Sequence, residues 1–494
     1  MAIVGIDVGT QSLKVVVAGD DLAVLGDASS SYGVDHPRPG WAQQDPHVWE
    51  QALGPTVAEA LERAGVAPGQ VAAIGVAGQL DGCVAVGNDG QALGPCLIWM
   101  DRRAERELPE LPPDFRQLTG LTADPGHMAA KIAWLRRHAQ GMSGARFHQP
   151  VSYLVERLCG EFVMDHGLAS TTMLYGLARR DYEPDLLDRF AIQRSDLPLL
   201  ALASEPAGAL TSGGAALCGL PAGIPVAVGT GDDFAAPLGA GVAAPGTITC
   251  VIGTAEVVGG LCERPVIDAA GLVETHGYAA PGFFVENPGW LSGGSVAWLR
   301  ELLGAAGDDE LDRWAESAPP GAGGVAFLPA LSGAMAPEWI PGARGCFYGM
   351  SAAHGRGHLA RALLEGCGFA MRDVVDRLVE LGVPADTILL VGGGARSSTW
   401  GHIRADLLGR PVEVSSTADS CPVGAAMLAA VAAGLAPDAA AASASAASGR
   451  EQIDPDPDRR AAYQDAYRRY RDLFDALRPM FTRDTDPRPE GSPG

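Results

Sequence analysis

Lysine is almost missing from this 494-residue chain: Lys14 and Lys131 stand alone, and every other basic chain of that kind is arginine. Val15 and Ile132 follow them, so neither belongs to a G-x-x-x-x-G-K-[ST] phosphate loop, and a Walker-type nucleotide site is excluded. Lysine Schiff-base chemistry keeps two candidates at most. None of the nine cysteines forms a C-x-x-C pair, which removes the usual zinc and dithiol patterns and points to buried, reduced thiols in a cytoplasmic protein. No run of about 18 uncharged apolar residues occurs, and Met1 to Val8 reads as a strand rather than a leader. The expectation is a protein that is neither secreted nor membrane-spanning.

Positive charge is scarce as a whole. Lys and Arg total 36 against 59 Asp and Glu, a formal charge of −23, which disfavours nucleic acid and anionic membrane as partners. With 19% charged and 47% hydrophobic residues the chain is an ordinary globule, long enough for two to four domains at roughly 150 residues each.

Short β-branched runs (Ile3 to Val8, Leu13 to Ala18, Val71 to Val76) alternate with helical patterns such as Trp49 to Ala64, which predicts α/β layers. Apolar spacing predicts further helices over Pro125 to His138, Gly357 to Leu381, Pro422 to Ala433 and Arg459 to Leu477. The connector Gly239 to Thr247 marks the main division, Ala436 to Gly449 is low-complexity, and Thr482 to Gly494 is expected to be disordered. The halves show weak symmetry: Asp7-Val8-Gly9-Thr10 and Ile252-Gly253-Thr254-Ala255 each place a glycine turn between strands. Two such turns facing across a cleft could hold a triphosphate tail through backbone amides.

The residues around the turns carry more information. Asp7-Val8-Gly9-Thr10-Gln11-Ser12-Leu13-Lys14 has a D-x-G-T-x-S-x-K form that resembles the first phosphate loop of the FGGY carbohydrate kinases, members of the actin-like ATPase superfamily. The resemblance continues in order: Gly40-Trp41-Ala42-Gln43-Gln44-Asp45-Pro46, Gly78-Gln79-Leu80-Asp81-Gly82, Ile98-Trp99-Met100-Asp101, Gly231-Asp232, Gly253-Thr254 and Gly392-Gly393-Gly394-Ala395-Arg396-Ser397. It spans about residues 1 to 435 and is nearest to xylulose kinases.

The resemblance implies two actin-like (ribonuclease H-like) α/β domains flanking a catalytic cleft. Residues 1–242 would bind sugar and hold the first phosphate loop, 243–440 would hold the second loop and adenosine, and 441–494 would form a C-terminal helix and tail. It implies ATP and Mg²⁺, with Asp7 acting on the metal and Asp232 as general base. Thr10, Gln11, Ser12, Lys14, Gly253, Thr254, Gly393, Gly394, Ala395 and Ser397 are expected to line ATP. Gln79, Leu80, Asp81, Asp101, Asp232 and Asp233 are expected to face the sugar, with Trp99 packed behind them. A homodimer is compatible with the family.

Asp81 stands where xylulose kinases carry histidine, and Asp233 where they carry asparagine. Carboxylates accept hydrogen bonds from hydroxyls and repel anions, so a neutral polyhydroxylated substrate is expected over gluconate. D-Xylulose leads; ribulose, arabinitol, erythritol or a branched sugar stay open, and glycerol ranks lower. Two other readings are an actin-like ATPase without a sugar substrate and a metal hydrolase built on Asp81, Asp232 and Asp233.

Overall fold

The computed structural model describes residues 1–417, 419–447 and 449–484, with side chains to Phe481. Strand β1 (Ala2–Val8) is buried along its whole length, as an apolar run in the middle of a covered sheet must be. It turns into the antiparallel β2 (Ser12–Ala18), setting Asp7 opposite Lys14, and β2 pairs with β3 (Val24–Ser31). Helix α1 (Pro46–Ala64) starts where the Asp45 side chain accepts from His47 N and Pro46 fixes the first turn; it stops at Gly65, φ +65°. Strand β4 (Val71–Gly78) then returns parallel to β1.

The rest of the first lobe hangs on this sheet. Helices α2 (Met128–His138), α3 (Pro150–Cys159) and α4 (His166–Ser170) are followed by β5 (Pro206–Ala209), β6 (Pro225–Ala227) and β7 (Thr230–Gly231), and β7 opens directly into α5 (Asp232–Gly239). The sheet order is β5-β6-β4-β1-β2-β3, with β7 also on β4. Helix α2 begins three residues later than the expected Pro125, and Arg136, Arg137 and His138 occupy its last turn, complementing the dipole.

The second lobe repeats the plan. Strands β8 (Gly246–Ile252) and β9 (Ala255–Cys262) form the hairpin that carries Gly253 and Thr254; β10 (Glu274–Gly277) and β11 (Phe283–Leu291) extend that side. After α6 (Gly293–Leu303) and α7 (Arg356–Glu380), β12 (Ala385–Val391) runs parallel to β8, as β4 does to β1. Helix α8 (Ser398–Leu408), β13 (Val412–Val414), α9 (Ser420–Ala432), β14 (Glu451–Ile453) and α10 (Arg460–Asp484) complete it, in the order β10-β11-β9-β8-β12-β13-β14.

Two features define the C-terminal segment, whose Arg459 to Leu477 stretch is expected to dock on the body as a helix. The segment after 440 is integrated with the second lobe: β14 pairs with β13, and Tyr463, Tyr470 and Phe474 of α10 sit in its core. The alanine-rich stretch is ordered through Ala447, with a short helix Ala439–Ser443 whose Ala439, Ala442 and Ser443 are buried. Of the expected disordered tail, Thr482 to Asp484 continue α10, and the remainder lies outside the described residues. Helix α9 lies against β1 and β4 of the first sheet, close enough that a Cβ at Gly5 would fall 1.9 Å from Pro422 O and one at Gly75 1.9 Å from Ala425 O. Only glycine permits that approach. No described helix is long and apolar enough to cross a membrane, and the cysteines are unpaired, seven of them buried.

Candidate active site

The first turn is built by backbone bonds and held from behind. Gly9 N donates to Ser12 O at 3.0 Å, Tyr32 Oη to Gly9 O at 2.7 Å, and Gln44 Nε2 to Thr10 O at 2.7 Å. Gln79 Nε2 in turn donates to Gln44 Oε1 at 2.9 Å, leaving its own Oε1 buried without a partner. Gln44 of the Q-Q-D-P segment thus shapes the first turn. Gln43 accepts from Arg103, which also closes on Asp101 at 2.7 Å.

Asp101 does not reach the sugar side. It is fully buried, and its oxygens accept from Ala42 N and from the Arg103 backbone and guanidinium. It is a positioning residue behind the wall. Trp99 departs from expectation in the opposite sense: it is 40% exposed, and its indole N–H donates to Thr10 Oγ1 at 3.0 Å, so it flanks the turn instead of packing in the core. Lys14 is paired at 2.7 Å with Asp419, the residue that opens α9.

The second turn rests on a buried ion pair. Gly253 and Thr254 are exposed at the hairpin tip; beneath them Glu256 takes both terminal nitrogens of Arg404, and Ser292 Oγ donates to Glu256 at 2.6 Å. A Cβ at Gly293 would strike Gly253 O at 2.2 Å, so α6 enters directly under the tip. Beside it Gly392, φ +91°, starts the turn Gly393–Arg396; a Cβ at Gly394 would meet Ile252 at 2.3 Å, whereas one at Gly393 would only touch the Arg396 guanidinium at 3.9 Å. Ser397 has another task than expected, since its hydroxyl accepts from Trp400 N to cap α8 and donates to Asp312 at 2.7 Å.

Beside Asp7 and the first turn lies a dense set of ionisable groups. Asp232 stands at the first position of α5, anchored through Thr230, whose hydroxyl donates to buried Asp165 at 2.7 Å. Burial raises Asp232 to about 6, with Asp81 adding to the shift while the backbone amides of Asp232 and Asp233 oppose it. Burial and the neighbouring Asp232 push Asp233 well up, and burial with Asp232 lifts Asp7 to about 7 against the pull of Lys14. Asp81 has φ +60°, a conformation clamped by Gln149 Oε1 accepting from its N–H at 2.8 Å and Lys131 Nζ donating to its carbonyl at 2.7 Å. Burial would raise its carboxyl, but His127 at 3.1 Å and Lys131 bring it below its ordinary value; His127 in turn rises to about 9.

The site holds residues that sequence reasoning missed: His127 and, from the second lobe, Glu274, His276 and Glu286. Burial raises Glu274 to about 6 and lowers His276 to about 3, and burial beside Asp233 drives Glu286 well up. At neutral pH the pocket is therefore mixed: Asp81 and Asp232 are anionic, His127 is cationic and His276 is neutral, while burial among other carboxylates pushes Asp233 and Glu286 toward their protonated forms. Among the described residues no three His, Cys, Asp or Glu side chains are arranged to hold a metal by themselves. Asp7 nevertheless suits a divalent ion shared with phosphates, because its Oδ1 is buried without a partner beside a second carboxylate.

Comparison with known proteins agrees with this architecture. Residues 2–239 match the N-terminal domain, and residues 248–433 the C-terminal domain, of the FGGY family of carbohydrate kinases. A xylulose kinase of Escherichia coli (strain K12) is 32% identical over 489 residues, covering 97% of this chain and 99% of that protein. A glycerol kinase of Gloeobacter violaceus is 33% identical over 449 residues, 88% of each. The crystal structure of a xylulose kinase from Rhodospirillum rubrum superposes with a TM-score of 0.86 at 30% identity, covering 98% of this chain and 100% of that one. With both of its lobes matched in this way, this chain belongs to the FGGY family of carbohydrate kinases.

Proposed function

We propose that the protein transfers the γ-phosphoryl group of Mg·ATP to the terminal hydroxyl of a neutral sugar, a pentulose such as D-xylulose, with Asp232 as general base. The observation that carries this reading is the placement of Asp232 at a helix start, beside Asp7 on the phosphate side and near Asp81 on the other. A carboxylate raised to about 6 is still mostly ionised at neutral pH and basic enough to accept a proton from a hydroxyl under attack. As the sugar oxygen bonds to phosphorus and the bond to the leaving ADP breaks, Asp232 accepts the hydroxyl proton.

The other residues position and screen. The amides of the Gly9 and Gly253 turns, with Thr10, Gln11, Ser12, Lys14 and Thr254, surround the phosphates, and the Gly393-Gly394-Ala395 turn receives adenosine closely because it lacks bulk. Asp7 would hold Mg²⁺, which when bound supplies charge neutralisation on the phosphate oxygens. Charged Asp81 and His127, together with Asp233, offer acceptors and donors to sugar hydroxyls. A coupled ADP-release assay over pentuloses, alditols, glycerol and gluconate tests the proposal: turnover on a neutral sugar, lost in Asp232→Ala, is expected. Normal turnover by Asp232→Ala would overturn it. Glycerol is the second reading, favoured by the similarity to glycerol kinases at 33% identity.

A further inference from the structure

We propose that the second lobe supplies half of the substrate pocket: His276 on β10 and Glu286 on β11 hydrogen-bond the sugar hydroxyls farthest from the phosphorylated end, so that substrates of four or more carbons are preferred over glycerol. This rests on the sugar-kinase reading above and specifies its substrate class.

The placement comes from β10, which docks on the first lobe. Thr122 N donates to Glu274 Oε1 at 2.7 Å, Thr275 N to Gly120 O at 3.1 Å, and Gly277 N to Ser170 Oγ at 3.0 Å. His276 is carried to 5.7 Å, ring to ring, from Phe234, two residues beyond Asp232. Its Nε2 lies 3.5 Å from Glu286 Oε1. Both residues are almost wholly enclosed, at 3% and 2% exposure.

What remains after these contacts is a set of unanswered polar atoms. His276 Nδ1 and Glu286 Oε2 are buried with no hydrogen-bond partner among the described residues, and so are Gln79 Oε1, Asp81 Oδ1 and His127 Nε2 on the facing lobe. The set is electrostatically one site: Glu286 responds to Asp233, Glu274, Asp232 and Asp81, and His276 to Asp81 and His127. Native proteins rarely leave buried polar atoms unsatisfied, and a cluster of them gathered where the two lobes meet is matched to a ligand that donates and accepts at several points. Glycerol has two hydroxyls besides the reacting one. A five-carbon ketose has three and a carbonyl, so it can answer atoms on both lobes at once. A short substrate leaves some of them unpaired, a mismatch that polar sites reject strongly.

The test is kcat/KM with Mg·ATP for glycerol, erythrulose, D-ribulose and D-xylulose, on the native protein and on Glu286→Leu, Glu286→Gln and His276→Phe. The native enzyme is expected to prefer a four- or five-carbon ketose over glycerol by at least about tenfold. Glu286→Leu and His276→Phe should erase roughly tenfold to a hundredfold of kcat/KM for the longer substrates, mostly through KM, with Glu286→Gln milder. Calorimetric ADP binding verifies each variant's fold; should Glu286→Leu fail it, His276→Phe and Glu286→Gln decide. Native turnover of glycerol equal to that of the ketoses, or a ketose preference that survives the substitutions, overturns the inference. Absence of turnover on every polyol, with ADP still bound, overturns the sugar-kinase reading itself and the inference with it.

Discussion

His127 Nδ1 lies 3.1 Å from Asp81 Oδ2, and the pair is clamped on one side by Lys131, whose ammonium donates to the carbonyls of both Asp81 and Gly126. One of the chain's two lysines thus ties together the loops that carry the acid and the imidazole. His127→Gln should raise the sugar KM roughly tenfold or more, because it leaves Asp81 buried with a weaker partner, while KM for ATP stays nearly constant. Steady-state kinetics with each substrate varied checks this. A parallel rise in both KM values would show that the pair supports the fold at large.

Activity should depend on pH from both sides. Asp232, raised to about 6, is the useful base only when ionised, so kcat/KM should climb as pH rises through about 6. His127, raised to about 9, loses its charge above that value, and kcat/KM should fall there. His127→Gln should remove the alkaline limb and leave the acid limb in place. A native profile without an acid limb would rule out Asp232 as the titrating base.

Asp7 offers a metal test independent of turnover. Near pH 7 it is about half protonated, since burial and Asp232 raise it to about 7. Binding of Mg²⁺ with ADP should therefore release roughly half a proton at that pH. Calorimetry in buffers of different ionisation enthalpy measures the number. Asp7→Asn should release none of it and require more Mg²⁺ for activity.

The buried pair under the second turn should matter for stability. Arg404→Met leaves Glu256 uncompensated in the core and is expected to cost about 3–5 kcal/mol, with the double variant Arg404→Met, Glu256→Leu recovering much of it. Urea titration by tryptophan fluorescence suits the measurement, because the Arg404 guanidinium lies 4.4 Å from the Trp400 ring.

The turns were legible because their chemistry is local: a glycine between strands, flanked by Thr10 or Thr254, reads the same in sequence and in space. Helices such as Arg356–Glu380 followed from apolar spacing for the same reason. Motif membership says nothing of the direction in which Asp101 points, and the usual burial of tryptophan says nothing of a particular one; Arg103 draws Asp101 inward, and Thr10 holds Trp99 outward. His127 lies 46 positions from Asp81, and His276 and Glu286 arrive from the other lobe, so the pairs they form exist only after folding. A lone histidine between Gly126 and Met128 carries no signal of its partner.

The close seat of α9 on β1 and β4 has a bearing on how the protein is made. Residues 2–8 and 71–78 meet 420–432, so a sheet built from strands translated more than 340 residues earlier has one face uncovered until residues 420–432 have been made. Contacts of such separation are slow to form and leave apolar surface open in the meantime. Translation of the first lobe by itself should accordingly yield a chaperone-bound or aggregating product, and the N-terminal sheet should become protease-resistant only after residues 420–432 have emerged.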